Sequence, residues 1–552
     1  MLSMRAALIA AIREAPDDDS LRLICADWFE EQGGEANAAR AEFIRTQIQR
    51  ANLPPDDIRQ SELQARELPL LKRWAPVWCG SHFVFKKVRF RRGFIEYVHL
   101  HLQHFRHHRR QMFALEPVRD VSLTGWFRAP DDLIRRVAAC EEWKHIETLR
   151  IHHQGPHHDP RGNLIDLLES PHLTRLRALH CPMVQFNADA RRRFEYLAIL
   201  RRLTELHLPY LDTFPENPGE WFSDGGAAFA AQWGELKSLY LPFYLRINLL
   251  RQLTEMPFWN RLTAIGLPLP GHGDTPQALS MLRDRMPISL HELRLQASQS
   301  PDDYSGSDSF FQRLAQAPLQ TLHLNGVPIS PETHGRLLDG TNRWDLRELR
   351  LTSREVNENH ARIIASSPGA KKLRSLDLSG NWHFDNAAAR VLFSSEQLRS
   401  LIHLDLDGTP VGSEGALALA SAKGWARLRS LRLPDLQLAH DDMRRLLASP
   451  NLSHLVWLSL GGNYRRGSSS LTITPKLAAD MSRLPNLACL YLNVSTGDAQ
   501  MRRMFSSTDS LSWVWIFSDD LGNDEKMFRA FWAPEHWPPV DDTWDLRFRE
   551  RG

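Results

Sequence analysis

Cysteine is scarce in this 552-residue chain, long apolar runs are missing, and neither sign of charge dominates. The five cysteines, Cys25, Cys79, Cys140, Cys181 and Cys489, are odd in number, and none stands in a C-x-x-C pair. That argues against a disulfide framework or a structural zinc site and favours a reducing compartment. No stretch approaches the ~18 consecutive apolar residues of a membrane span. The first residues are partly apolar, but Arg5 interrupts them and Arg13 and Glu14 follow, so they read as an amphipathic helix rather than a signal peptide. A cytoplasmic protein is the simplest expectation. Lysine and arginine total 68 against 66 aspartates and glutamates, a formal net charge of +2 with a pI of about 8.3. So even a balance gives no charge argument for nucleic acid. Catalytic signatures are missing as well: there is no G-x-S-x-G, no G-x-x-x-x-G-K-[ST], no H-E-x-x-H, and no G-x-G-x-x-G between a strand and a helix. The expectation is a protein that is not an enzyme and has no cofactor.

What the chain does contain is a repeated phrase. Leu373-Arg-Ser-Leu376-Asp-Leu378-Ser-Gly-Asn381 reads L-x-x-L-x-L-x-x-N, and it returns as Leu455-Val-Trp-Leu458-Ser-Leu460-Gly-Gly-Asn463. Apolar side chains at that spacing fit a short strand with one buried face, and the Asn can bond backbone in a tight loop. The first apolar residue of each copy gives the series Val118, Ile146, Leu176, Leu203, Leu236, Leu262, Leu290, Leu319, Leu346, Leu373, Leu401, Leu428, Leu455, Leu487 and Leu511. Most steps are about 26 to 30 residues, a period that calls for a stacked array rather than one compact core. Helical spacing fills the intervals, as in Asp385 to Gln397 and Gly412 to Trp425.

One strand and one helix per copy resembles the ribonuclease-inhibitor-like class of leucine-rich-repeat proteins, over Val118 to Phe517. The resemblance implies an α/β solenoid shaped as a horseshoe, with parallel strands on the concave face and helices on the convex face. Before the array, Pro16-Asp-Asp-Asp-Ser-Leu-Arg22, Ala26-Asp-Trp-Phe-Glu-Glu31 and Ala39-Arg-Ala-Glu-Phe-Ile-Arg-Thr-Gln47 closely resemble the bacterial repeat-companion domain. That module is small, all-α and found at the N-terminus of leucine-rich-repeat proteins, so the resemblance implies architecture and no chemistry. Cys25 and the residues around Gly34 to Asn37 depart from its usual pattern.

Three helices are expected in this module. The second carries Leu21, Ile24, Trp28 and Phe29 on helical spacing, and the third turns Phe43, Ile44 and Ile48 inward. The expected organisation is a companion domain at 1–53, a linker helix and N-terminal cap at 54–117, the array at 118–517 and a C-terminal cap at 518–552. Arg91 to Val98 resembles the segment joining companion domain and first repeat, which would cover the unpaired sheet edge. Phe528, Phe531, Trp532, Trp537 and Trp544 would cover the other end.

Five groups of residues are candidates for function. His99, His101, His104, His107 and His108 cluster near the cap, and His152, His153, His157, His158 and Asp159 form a second group. Such spacing suits zinc or nickel, although solvated polar faces look the same in sequence. Lys86, Lys87, Arg89, Arg91, Arg92, Arg106, Arg109 and Arg110 surround the first group and form a basic face at 86–110 that could take nucleic acid or a phosphorylated ligand.

The other two groups lie on the strands. Residues flanking the second leucine point away from the core, because strand side chains alternate. The column after that leucine runs Arg150, His180, His207, Tyr240, Gly266, Arg294, His323, Arg350, Asp377, Asp405, Arg432, Ser459, Tyr491, Trp515, and its neighbour ends in Trp457, Cys489, Trp513. Arg350, Asp377, Asp405 and Arg432 form a charge ladder in which the two facing carboxylates could do acid–base work. Their arginine neighbours favour a binding or structural role. Trp457, Tyr491, Trp513 and Trp515 form an aromatic sector of the kind that supplies interaction hot spots. The favoured reading is a scaffold holding a protein partner on the concave face through these eight residues, with no membrane role.

Overall fold

The computed structural model describes residues 4–54, 57–80, 87–126, 129–151, 157–159, 163–181, 184–186, 190, 193–194, 196–207, 233–241, 245, 247–270, 274–297, 307–327, 329, 333, 335, 338, 344–352, 356–433, 440–460, 474–493, 513–517 and 544–547. The chain divides into two compact units. One comprises Met1–Asn52, Arg73–Leu290 and Trp532–Gly552, the other Leu53–Lys72 and His291–Phe531.

The first unit opens with three helices, α1 (Met4–Glu14), α2 (Asp19–Glu31) and α3 (Glu35–Ala51). Asp18 caps α2 by accepting a hydrogen bond from the Ser20 amide at 2.9 Å. Phe43, Ile44 and Ile48 are buried as expected. Ile24 is not: it is 52% exposed, and the covered stripe of α2 is Arg22, Cys25, Ala26 and Phe29. A reading by hydropathy steps over this stripe because it begins with a charge. Arg22 is buried because Nη2 lies 2.6 Å from Glu96 Oε1, while Arg40 on α3 makes two hydrogen bonds, 2.9 and 3.0 Å, to the Glu116 carboxylate. Burial of a charge requires such pairing. Glu96 and Glu116 both lie in the segment read as the N-terminal cap, so the contacts across residue 53 include buried ion pairs.

That cap segment is an antiparallel hairpin, Lys87–Arg91 with Phe94–His101. Gly93 turns it at φ +87°, and a Cβ there would stand 2.3 Å from Ile44 Cγ1. A side chain at residue 93 would therefore strain the turn and push α3 away. Phe94–His101 then pairs in parallel with Asp120–Thr124 and so starts the ladder of repeat strands. Thr148–Ile151, Ala178–His180, Glu205–His207, Ser238–Tyr240 and Ala264–Pro268 follow in parallel register. Of the expected C-terminal cap, Phe528, Phe531, Trp532 and Trp537 lie outside the described residues. Trp544–Arg547 is a strand antiparallel to Lys87–Arg91.

In the second unit Glu292–Gln296, Thr321–Asn325, Glu348–Leu351, Ser375–Asp377, His403–Asp405, Ser430–Leu433, Trp457–Leu460, Cys489–Asn493 and Trp513–Phe517 pair in sequence, each parallel to the next. The register follows the phrase: Leu376 faces Leu404, and Leu404 faces Leu431. Leu376, Leu378, Leu404, Leu406, Leu431, Leu458 and Leu460 are all buried. Helices Asn386–Phe393 and Ser413–Ser421 occupy the expected intervals and bury Ala388, Leu392, Ala416 and Leu419.

Two polar devices tie particular repeats to their neighbours. Asn381, fully buried, donates to Leu351 O at 2.6 Å and Leu378 O at 2.7 Å and accepts from the Val356 amide at 3.2 Å. Buried tryptophans, Trp143, Trp233, Trp259, Trp344 and Trp425, sit two or three residues before the first apolar position of their repeats. Three of their indoles donate to backbone carbonyls: Trp143 to Val137 at 2.7 Å, Trp259 to Arg285 at 2.8 Å and Trp344 to Leu314 at 2.9 Å. A buried indole N–H needs such a partner. All five cysteines are free and buried. Among the described residues no helix is long and apolar enough to cross a membrane.

Candidate interaction face

Pairing register brings the second unit's outward residues into one continuous column. Arg350 is opposite Asp377, Asp377 opposite Asp405, and Asp405 opposite Arg432. The charge ladder is therefore real in space. Arg350 Nε lies 2.9 Å from Asp377 Oδ2, and Arg432 Nη1 lies 3.6 Å from Asp405 Oδ2. Each carboxylate also accepts from the amide two residues on, Asp377 from Ser379 at 2.9 Å and Asp405 from Asp407 at 2.8 Å. A third carboxylate joins them: Arg432 Nη2 is 2.8 Å from Asp407 Oδ2. The alternation that makes residue 405 outward also makes residue 407 outward, so Asp407 was available to the sequence and was overlooked.

All three aspartates are largely covered, at 9% exposure for Asp377, 5% for Asp405 and 6% for Asp407, while the arginine side chains keep 33% and 37%. Burial pushes the Asp405 pKa well above the usual carboxylate range, and the neighbouring Asp377 charge pushes it further, against the pull of Arg432. Asp407 is raised for the same leading reason, burial. The paired-carboxylate reading of Asp377 and Asp405 thus meets two groups already engaged by arginines and backbone amides. The face continues with His323, whose Nε2 is 2.7 Å from Glu348 Oε1.

The aromatic sector is less open than its spelling suggests. Trp457 is only 8% exposed, between Ser430 and Cys489 in register, and Tyr491 is half-buried, between Ser459 and Trp515. Trp513 and Trp515 occupy the expected strand positions, and their side chains lie outside the described residues.

The basic face at 86–110 is extensively neutralised. Arg91 and Arg92 reach Asp17 at 3.3 and 3.6 Å, and Arg92 reaches Asp19 at 3.3 Å. Arg109 is 3.0 Å from Glu142, with Arg110 at 4.0 Å from the same residue. The Arg89 guanidinium lies 5.0 Å from the centre of the Tyr97 ring, Lys87 is buried, and Lys86 is outside the described residues. The nearby histidines do not converge on a point. His101 and His104 ring centres are 5.9 Å apart and those of His104 and His108 are 6.4 Å apart, and His101 caps the helix Leu102–Leu115. Of the second group, His152 and His153 lie outside the described residues, and His157–Asp159 is described as a strand only.

The first unit has its own polar ladder, in which His180 is opposite His207 and His207 opposite Tyr240. Their rings stack at 3.8 Å and 4.3 Å between centres. Glu205 Oε1 sits 2.9 Å from His180 Nε2 and 3.0 Å from His207 Nε2. Arg150 holds Asp120 with Nε and Nη2, each 3.0 Å from a carboxylate oxygen, and donates Nη1 to His180 Nδ1 at 2.7 Å. Burial lowers the His180 pKa to about 4, partly opposed by its contact with Glu205. Burial alone would raise the Glu205 pKa, but its contacts with His180 and His207 prevail and lower it. Asp120 and Glu205 stand just before Val121 and Leu206, the second apolar residues of their repeats.

A family model described as Leucine Rich repeat matches residues 397–420, which span the strand carrying Asp405 and most of the following helix. The array is a leucine-rich-repeat solenoid. Among solved structures it is similar to one titled as the Rad7 and Elc1 complex in yeast, at 15% identity and a TM-score of 0.39, covering 93% of this chain and 98% of that chain. It is also similar to an internalin, InlF, from Listeria monocytogenes, at 14% identity and a TM-score of 0.31, covering 70% of this chain and 88% of that chain. A search of curated proteins finds no match.

Proposed function

We propose that the chain is a non-enzymatic scaffold that holds a protein partner on the open strand face of its repeats. The observation that carries this reading is the row Arg350, Asp377, Asp405, Arg432 with Asp407 beside it: three covered carboxylates between two part-exposed arginines. Fixed charges of both signs on a strand face set the orientation and encounter rate of a partner that carries the complementary pattern. Tyr491 and Trp515 continue the same column and would add apolar area to the contact. Trp457, being mostly covered, would support them from beneath, with Trp513 in the same row. The helices α1 to α3 are read as a repeat-companion domain, and the protein as bacterial and cytoplasmic.

Two other readings fare less well. Nucleic acid on the 86–110 face would need free cations, and the described ones mostly face acids or an aromatic ring. Catalysis by Asp377 and Asp405 would need a carboxylate free to meet substrate, and each is bound by an arginine and an amide. Loss of a turnover in Asp377→Asn would revive the second of these.

The test is site-specific photo-crosslinking in the native host, with the reactive group placed at Tyr491 or, as a control, at Tyr196, which is 68% exposed outside the array's strands. A discrete crosslinked protein from Tyr491, lost when Asp405 is reversed to Lys, supports the reading. Crosslinks from Tyr196 alone, or insensitivity to the Asp405 change, overturn it.

A further inference from the structure

We propose that His180, Glu205 and His207 form a binding site for a divalent transition-metal ion of the zinc, nickel and cobalt class. Among the described residues this is the group of three whose ligand atoms all lie within 4.8 Å of one another. The backbone explains why they meet. Ala178–His180 and Glu205–His207 are adjacent parallel strands in which His180 faces His207, and Glu205, two residues before His207, returns to the same side.

The ligand chemistry selects the ion. Two imidazole nitrogens and one carboxylate oxygen suit zinc, nickel, cobalt or iron(II), whereas calcium and magnesium prefer all-oxygen shells. The ion brings two positive charges to a site holding Glu205 as its anion, while Asp120 is already balanced by Arg150. The distances are close to what is needed. Both Nε2 atoms stand about 3 Å from Glu205 Oε1, and ligands each ~2.0–2.2 Å from a tetrahedral ion are roughly 3.4 Å apart. An opening of a few tenths of an ångström suffices for the carboxylate.

His180 has an orientation to change. Arginine only donates, so the Arg150 contact makes His180 Nδ1 an acceptor and leaves the ring proton on Nε2. That Nε2 is buried and, although 2.9 Å from Glu205, makes no well-aligned hydrogen bond. Its ring lies 15° from parallel with that of His207, so the two rings stand side by side rather than turned towards one point. Metal ligation therefore tips the His180 ring and moves its proton from Nε2 to Nδ1 through solvent, with no net proton gained or lost. Arg150 Nη1 gives up its acceptor, while Nε and Nη2 keep Asp120. His207 donates its Nε2 proton to Glu205, so that proton likewise passes to Nδ1 through solvent on ligation, while the ring stays stacked against Tyr240.

Titration of the full-length, metal-stripped protein with Co2+, followed by its visible d–d absorption, tests the site. One equivalent should bind, and Glu205→Gln and His207→Ala should each weaken binding by at least about tenfold. Both variants should keep the parent's circular dichroism without metal, which shows them folded, and His104→Ala, in the other histidine cluster, should bind as the parent does. No bound cobalt overturns the proposal. So does undiminished binding in His207→Ala, or loss of binding in His104→Ala, since either places the ion elsewhere.

Discussion

Asp377 and Asp405 stand opposite one another on adjacent parallel strands, and each is tied to an arginine on its far side, Arg350 at 2.9 Å and Arg432 at 3.6 Å. Their carboxylates therefore face a like charge inward and an opposite charge outward. Burial and Asp377 win at Asp405, whose pKa is raised despite Arg432.

A stability–pH dependence follows. Asp405 in the unfolded chain titrates near ~3.9. Between that pH and its raised folded value the native state binds more protons than the unfolded state, so stability falls as pH rises. Asp407 acts in the same direction. Asp405→Asn keeps the acceptor for the Asp407 amide and removes the charge, so it should be more stable than the parent at about pH 8, with the gap closing towards about pH 4. Urea unfolding midpoints across that range check it; a gap that widens on acidification refutes the burial argument.

Truncation of Leu404 to Ala should cost ~2–5 kcal/mol. Leu404 is fully buried and lies in register with Leu376 and Leu431, so neighbours on both sides limit collapse of the cavity. Thermal melting or urea titration measures it. An unchanged midpoint would contradict this packing.

Asn381→Ala leaves two carbonyls and one amide without their partner. The expected cost is ~1–3 kcal/mol or more. Asn381→Asp should be no remedy, because an ionised carboxylate can serve the Val356 amide but cannot donate to Leu351 or Leu378. Comparing the two variants by chemical denaturation separates lost donors from lost volume.

The Pro-rich stretch after Leu53 suggests in sequence a module that could be cut away. The buried pairs Arg22–Glu96 and Arg40–Glu116 predict otherwise. Arg40→Met should cost ~3–5 kcal/mol by leaving the buried Glu116 with only the more distant Arg5 as a cation, and removal of residues 1–53 should leave the first unit unable to fold. Solubility and circular dichroism of the truncated chain decide the matter, with a folded, soluble product counting against the paired-charge account.

The array was legible because its phrase couples burial to a period of two: Leu376, Leu378 and Asn381 each meet the fate their spelling implies. Helix α2 was misread at Ile24 because its buried face starts with Arg22, and single-residue hydropathy does not see the Glu96 that neutralises it. The ladder was legible from register alone, yet Asp407 and Glu205 went unnoticed, since each joins its cluster through a side chain two residues along its own strand or one column over. Trp457 shows the opposite limit. Strand alternation gave its direction, whereas its 8% exposure depends on neighbours that alternation does not specify.

The tryptophans that precede the strands have a further consequence, an optical one. Trp143, Trp233 and Trp259 belong to the first unit and Trp344 and Trp425 to the second, all buried at nearly the same place in the repeat. Indoles held dry in this way emit at shorter wavelength than hydrated ones. Loss of either unit's packing should therefore redden the protein's own fluorescence. Replacing Trp344 and Trp425 by Phe would weaken the second unit's share of that signal, so that the melting of each half could be followed without an attached dye.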